Sequence, residues 1–245
     1  MKVALCLSGQ PRFIEKAFPF IQNCLILPNN ADVFFHTWFD ESFVGKRFVS
    51  NRNGIPLNDD GGCFHADTVE LLKRLYSPKA FEISAPLTFC DSLLPVDCIL
   101  STHAGTYTRP EFVSMIYSSW YSIQRSNSLK ELYRLQNGIN YDFVIRARFD
   151  ASLNLSIPCN LLSKGCLYVD NRELPPNMIS DWFAISSNDV SNVYASGFNA
   201  LERFANNPSQ NDLICGENIV FRLMSLYNIP VIKINELTHH PIRFS

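Results

Sequence analysis

The stretch Tyr141-Asp142-Phe143-Val144-Ile145-Arg146-Ala147-Arg148-Phe149-Asp150 constrains the fold more than any other. Phe143, Val144 and Ile145 are apolar at consecutive positions, the pattern of a strand covered on both faces rather than on one. Such a strand belongs to an α/β sheet with helices on each side. Side chains alternate along a strand, so Arg146, Arg148 and Asp150 are predicted to project from one face and Ala147 and Phe149 from the other. Three charges then gather at the carboxyl end of a buried strand, which is where open α/β sheets bind ligands. Buried charge is costly unless paired or solvated, so the same residues fit a ligand site or an internal Arg–Asp salt bridge.

The rest of the chain supplies neighbours for this strand. Residues 2 to 7 read as a first strand, followed by the turn Ser8-Gly9-Gln10-Pro11-Arg12. A helix follows, with Pro11 in its first turn and Phe13, Ala17, Phe20, Ile21, Cys24 and Leu25 at helical spacing, and Pro19 is predicted to kink or split it. Ala31 to Trp38 reads as a second strand, which predicts a parallel, right-handed βαβ opening. Residues 40 to 66 read as a long loop. Asp67 to Glu70 resembles a helix cap leading to Leu71, Leu72 and Leu75, with a stop at Ser77-Pro78, and Lys79 to Ser84 reads as a strand.

Pro110 starts the longest helix, carrying Val113, Ile116, Trp120, Ile123, Leu129, Leu132 and Leu135 and ending at Asn137-Gly138. Beyond Asp150 come strands at Gly165 to Val169 and Trp182 to Ile185, and one helix from Ser187 or Asn188 to about Phe204. A last helix over Glu217 to Tyr227, a strand over Ile229 to Ile234 and a tail complete the chain. No repeat or low-complexity linker interrupts it, so one domain over residues 1–245 is expected. The expected class is α/β, with a mixed, mostly parallel sheet and helices on both faces.

Composition narrows the function classes. A hydrophobic share of 47% and a charged share of 18% are those of a globular chain, not a disordered one. A formal net charge of -2 argues against a broad nucleic-acid-binding surface. The eight cysteines form no Cys-x-x-Cys pair and no zinc pattern, and read as small buried hydrophobes in a reducing compartment. The apolar run Val3 to Leu7 is too short for a secretory signal, and no run is long enough to span a bilayer. The expected location is cytoplasmic, with peripheral contact at a membrane's inner face left open.

Two constellations carry chemistry. Ser8, Gly9, Gln10 and Arg12 follow the first strand, where a glycine lets backbone amides approach a ligand and a helix amino terminus favours anions. Arg146 and Arg148 offer planar paired donors to phosphate oxygens, and Asp150 beside them suits a magnesium ion that needs only one or two carboxylates. Asp181, before a strand, and Glu217, near the start of the last helix, are the acidic candidates for a general base, with Asp181 ranked first. His36 and Trp38 close the second strand and either line the cleft or fill the core.

Lys2 to Arg12, Ala31 to Trp38 and Tyr141 to Asp150 together resemble the bacterial and viral polysaccharide glycosyltransferases of the GT-A type. The resemblance continues through Asp181-Trp182-Phe183-Ala184-Ile185 and Gly216-Glu217-Asn218. It implies a GT-A-like, Rossmann-like domain with a donor-nucleotide half at residues 1–150 and an acceptor half at 151–245. It implies a nucleotide diphosphate sugar as donor and an oligosaccharide or lipid-linked glycan as acceptor. Ser8, Gly9, Gln10, Arg12, Arg146 and Arg148 would face the nucleotide and its phosphates, with Asp181, Glu217 and Arg148 as catalytic residues. It also implies a manganese or magnesium ion at Asp150, with a carboxyl-terminal histidine, His239, completing the shell. Arg148 stands where the first aspartate of the usual Asp-x-Asp motif would be, so the arginine either assists a metal or replaces one. The competing expectation is a non-catalytic nucleotide- or glycan-binding module, and a nucleotidyltransferase is a third.

Overall fold

The continuous apolar runs become the centre of a sheet. In the computed structural model the described residues are 1–47, 51–52, 55–56, 62–95, 108–207 and 214–241. The chain opens with strand β1 (Val3–Gly9), helix α1 (Ile14–Ile21), a π-helical turn at Gln22–Ile26, the short helix α2 (Leu27–Asn29) and strand β2 (Asp32–Trp38). The pairs β3 (Asn51–Arg52) and β4 (Ile55–Pro56), helix α3 (Thr68–Tyr76) and strand β5 (Ala80–Ser84) follow. Next come the long helix α4 (Arg109–Asn137), strand β6 (Phe143–Arg148) and the short strands β7 (Ala151–Leu153) and β8 (Leu167–Val169). Strand β9 (Ala184–Ser187), helices α5 (Asn188–Ala195), α6 (Gly197–Asn206) and α7 (Gly216–Leu226), and strands β10 (Val231–Lys233) and β11 (His239–Pro241) complete the chain.

Seven strands form one sheet in the order β10-β8-β9-β6-β1-β2-β5. β9 pairs antiparallel with both β6 and β8, while the other pairings are parallel. The sheet is therefore mixed and mostly parallel, and it runs through both the 1–150 and the 151–245 segments.

Alternation along the strands sorts the side chains between two helical layers. Val3, Leu5, Leu7, Phe35, Ala147 and Phe149 pack on the α1 and α3 side with Ile14, Ala17 and Leu72. Ala4, Cys6, Phe34 and Val144 face the other way, with Leu129 and Tyr133 of α4 against them. Burying consecutive apolar residues on both faces of β1, β2 and β6 is what makes these strands central.

Several elements depart from the sequence reading. The first helix begins at Ile14, not Pro11, because Phe13 takes a left-handed conformation with φ 51°. Pro19 neither breaks nor ends it; the helix continues to Ile21 and passes into the π turn at Gln22–Ile26. The expected helix to Phe204 is two helices, α5 and α6, joined at Ser196. On α4, Leu132 and Leu135 are exposed, while Lys130 is fully buried and bonds to Asn188, Asn192 and Glu131. The stripe from Val113 to Leu129 is packed, but over its last turns the inward position facing α5 is taken by Lys130, which leaves Leu132 and Leu135 outside it. Among the described cysteines, Cys6, Cys159 and Cys215 are buried but Cys90 is exposed, and all seven are free; Cys98 lies outside the described residues.

Gly197 marks a close approach between helices: a Cβ there would meet the buried Trp120 ring at 2.3 Å. Gly197→Ala is expected to cost roughly 1–3 kcal/mol of stability through overpacking, read as a lower urea midpoint at unchanged slope.

Candidate functional site

Because β9 runs against its neighbours, the segment entering it meets the carboxyl ends of β1, β6 and β8. Ser8 at the end of β1 lies in register with Arg148 on one side and His36 on the other. Arg146 pairs in register with Ala184, the first residue of β9. The edge thus collects Ser8, Arg146, Arg148, Asp150, the β8 exit residues Asp170 and Arg172, the β9 entry residues Asp181 and Trp182, and Glu217 in the first turn of α7.

Arg148 and Asp150 form a bidentate pair, Nε to Oδ1 and a terminal nitrogen to Oδ2, both at 2.8 Å. Burial opposes the Arg148 charge, but Asp150 and Asp181 outweigh it and hold its pKa above the usual arginine value. Asp150 is only 2% exposed and its two carboxylate oxygens both face this guanidinium. Among the described residues no group of three or more His, Cys, Asp and Glu side chains is arranged to hold a metal ion. The donor set at Asp150 therefore suits an internal ion pair rather than a divalent cation.

A second cluster joins the first through Trp182. The Arg172 guanidinium stacks on the Trp182 ring at 4.0 Å, and that of Arg148 lies 5.9 Å from the same ring. Arg172 bridges two carboxylates, reaching Glu217 Oε1 at 3.3 Å and Asp181 Oδ1 at 3.6 Å. Asp181 can come this close to α7 only because residue 216 is glycine: a Cβ there would sit 2.0 Å from Asp181 Oδ2. Arg146 donates to the Asp181 backbone carbonyl, which also accepts from Tyr194. Asp170 accepts from the Ser180 hydroxyl at 2.7 Å and the Arg172 amide at 3.2 Å, so it pins both ends of the 170–181 segment.

Burial, and then the Asp181 carboxylate, push the Glu217 carboxyl up to about 7. Several buried polar atoms at this edge make no hydrogen bond: Ser8 Oγ, Arg146 Nε, Arg172 Nε and Asp181 Oδ1. Such atoms are rare in folded proteins, and their grouping marks a place where a ligand or water completes the bonding.

The β1 loop differs from its expected form. The Gly9 amide does not face outward but donates to Ser122 Oγ of α4 at 2.8 Å, and its carbonyl accepts from Thr37. Gly9 is still required, because its φ is 110°. Gln10 accepts from the Arg12 guanidinium. His36 is a core residue with no exposure: its Nδ1 meets Ser122 Oγ at 2.8 Å and its Nε2 meets Ser84 Oγ at 3.2 Å. Burial pushes its pKa down to about 4, so it acts as a neutral strut behind the Gly9 turn. Trp38 is likewise buried, with its Nε1 donating to the Ser118 carbonyl.

The tail returns to the site by its backbone. His239 pairs antiparallel with Leu153 and Pro241 with Ala151, the residue after Asp150. Arg243, the basic residue that follows in the tail, lies outside the described residues. Sequence reasoning missed Asp170 and Arg172, although they follow the apolar run Leu167-Tyr168-Val169 as Arg146 and Arg148 follow theirs. No protein-family model matches the chain, and no curated protein matches it.

The raised Glu217 pKa gives a pH signature. Between the ordinary value of 4.5 and about 7 the unfolded chain releases a proton that the folded chain retains. Stability from this group is thus complete below pH 4.5 and is lost as pH rises to 7, by about 2–3 kcal/mol. Glu217→Gln, which fixes the neutral form, is expected to flatten that decline in chemical-unfolding measurements across the same window.

Proposed function

We propose that this chain is a glycosyltransferase of GT-A-like architecture that moves a sugar from a nucleotide diphosphate sugar to a glycan acceptor, in the synthesis of a surface polysaccharide. The observation that carries the reading is a carboxyl poised near neutrality within a cluster of guanidiniums: Glu217 beside Arg172, with Arg146 and Arg148 on the same edge. Transfer from a diphosphate needs both a base for the incoming hydroxyl and positive charge for the leaving group.

In the proposed step, ionised Glu217 takes the proton of the acceptor hydroxyl, whose oxygen attacks the anomeric carbon of the donor. The bond from that carbon to the diphosphate breaks, and its electron pair passes to the phosphate oxygen. Arg146 and Arg172, each with an unbonded Nε, meet the charge that develops there. What supports Glu217 over Asp181 as the base is its pKa, which matches the working pH of a general base. Asp181 then serves to raise that pKa. Arg148, committed to Asp150, contributes field rather than direct contact.

The same bidentate pair favours a second reading, a nucleotide- or glycan-binding module in which the charges tie strand to turn. Thermal shift with a panel of nucleotide sugars, followed by donor turnover with and without glycan acceptors, separates the two. Arg172→Gln is expected to lower kcat by about 100-fold, with partial recovery in Arg172→Lys. Arg148→Ala instead strands the buried Asp150 carboxylate and is expected to cost about 3–5 kcal/mol of stability. Unchanged kcat in Arg172→Gln would overturn the role given to Arg172, and absence of turnover with a donor that stabilises the parent protein, across the acceptor panel, would overturn the enzymatic reading.

A further inference from the structure

Arg172 has one guanidinium and two carboxylates to serve. It reaches Glu217 Oε1 at 3.3 Å and Asp181 Oδ1 at 3.6 Å, while its face is stacked on Trp182 and its Nε makes no hydrogen bond. Arg148 is already matched by Asp150, and Asp170 by a hydroxyl and an amide. The edge still has bonds to offer an anion: Arg146, 8% exposed, and Ser8, 3% exposed, each keep a buried polar atom without a hydrogen bond. An anion that settles there meets carboxylates whose countercharges are in use. Either it is repelled or one carboxyl gives up its charge.

Glu217 is the group placed to do so. It is faced by Asp181 and Arg172 from the 170–181 segment, by Cys215 from the start of its own helix and by Tyr194 from α5. Tyr194 also faces Arg146 of β6 and Asp170 at the exit of β8, and Lys233 of β10 is tied to the Arg172 carbonyl. Asp181 lies so near the start of α7 that position 216 has no room for a side chain. In the free protein, burial and then Asp181 already hold Glu217 at about 7. A further negative charge nearby acts in the same direction as Asp181 and draws on Arg172, the cation that opposes it. The Glu217 side chain keeps 16% exposure, which lets solvent deliver the proton.

We propose that this edge binds an anion and a proton together, Arg172 passing from Glu217 to the anion while Glu217 takes the proton from solvent. The identity of the anion, a diphosphate diester, rests on the transferase reading above; the coupling is a regulation of that same site. A carboxyl that binds its proton more tightly in the complex makes affinity greatest below its free pKa and weaker as pH rises through that value. Glu217 serves as a base only after losing this proton. The ascending limb of kcat therefore lies at higher pH than that of kcat/KM, because the first reports the complex and the second the free protein.

Titration calorimetry of the full chain with UDP-glucose, GDP-mannose and ADP-glucose, in Hepes, imidazole and Tris at about pH 7.5, counts the protons taken up. These diesters have no proton of their own to exchange near neutrality. Uptake of roughly half a proton per anion is expected, with affinity falling by up to about tenfold per pH unit above that range. Glu217→Gln is expected to bind without uptake and, at about pH 8.5, roughly tenfold more tightly than the parent, an outcome that a merely structural role for Glu217 does not produce. Asp181→Asn, which removes the neighbouring charge, is expected to keep the coupling and move it to lower pH. Nucleotide-sugar binding without uptake, or uptake that Glu217→Gln retains, would overturn the coupling and leave the transferase reading intact. Uptake with sulfate but no binding of any nucleotide sugar would uphold the coupling and overturn the transferase reading. Failure of sulfate and nucleotide sugars alike to bind would overturn both.

Discussion

The charges at the carboxyl edge of the sheet stand or fall together. Arg148 neutralises a nearly inaccessible Asp150, Arg172 spans Asp181 and Glu217, and Arg146 holds the backbone of Asp181. In a low-dielectric setting each of these groups is tolerable only with its partner present, because desolvation of a lone ion costs several kcal/mol. The strand ends are therefore fixed relative to one another by electrostatic necessity as well as by the ladder of backbone bonds. An edge built this way is held rigid by its own side chains.

The reversal of β9 extends that rigidity across the sheet. An all-parallel arrangement would send the segment before β9 to the opposite edge, leaving Asp181 and Trp182 far from Arg146 and Arg148. Running antiparallel, the strand brings its entry to the place where its neighbours exit, so one edge is furnished from both chain directions. Trp182 then sits between two guanidiniums and covers part of their apolar faces. The glycine at position 216 completes the arrangement by letting a carboxylate rest against the start of α7.

Much of the frame was readable from residues alone. The runs in β1, β2 and β6 announce central strands, and Pro110 and Gly138 bracket α4 to within a residue. Alternation along residues 146–150 correctly separated the charges from Ala147 and Phe149. What stayed hidden depends on contacts distant in sequence. Nothing local says that β9 is reversed, that Lys130 will be buried in place of Leu132, or that Ser122 will take the Gly9 amide. β8 and β10 are legible as the apolar runs at 165–169 and 229–234, but β7 and β11 have only three residues each, too few to show a period, and their existence is decided by their pairing with each other. Asp170 and Arg172 follow the legible β8, but their part in the site depends on Ser180, Asp181 and Glu217, which are distant in sequence.

The 170–181 segment is an arch with both feet in the charged cluster. Asp170 clamps the two feet through the Arg172 amide and the Ser180 hydroxyl. The segment is also tied to the start of α7, through the Ile179 amide on the Glu217 carbonyl and Asn218 on the Asn177 carbonyl, so a change at residues 177–179 is felt at Glu217.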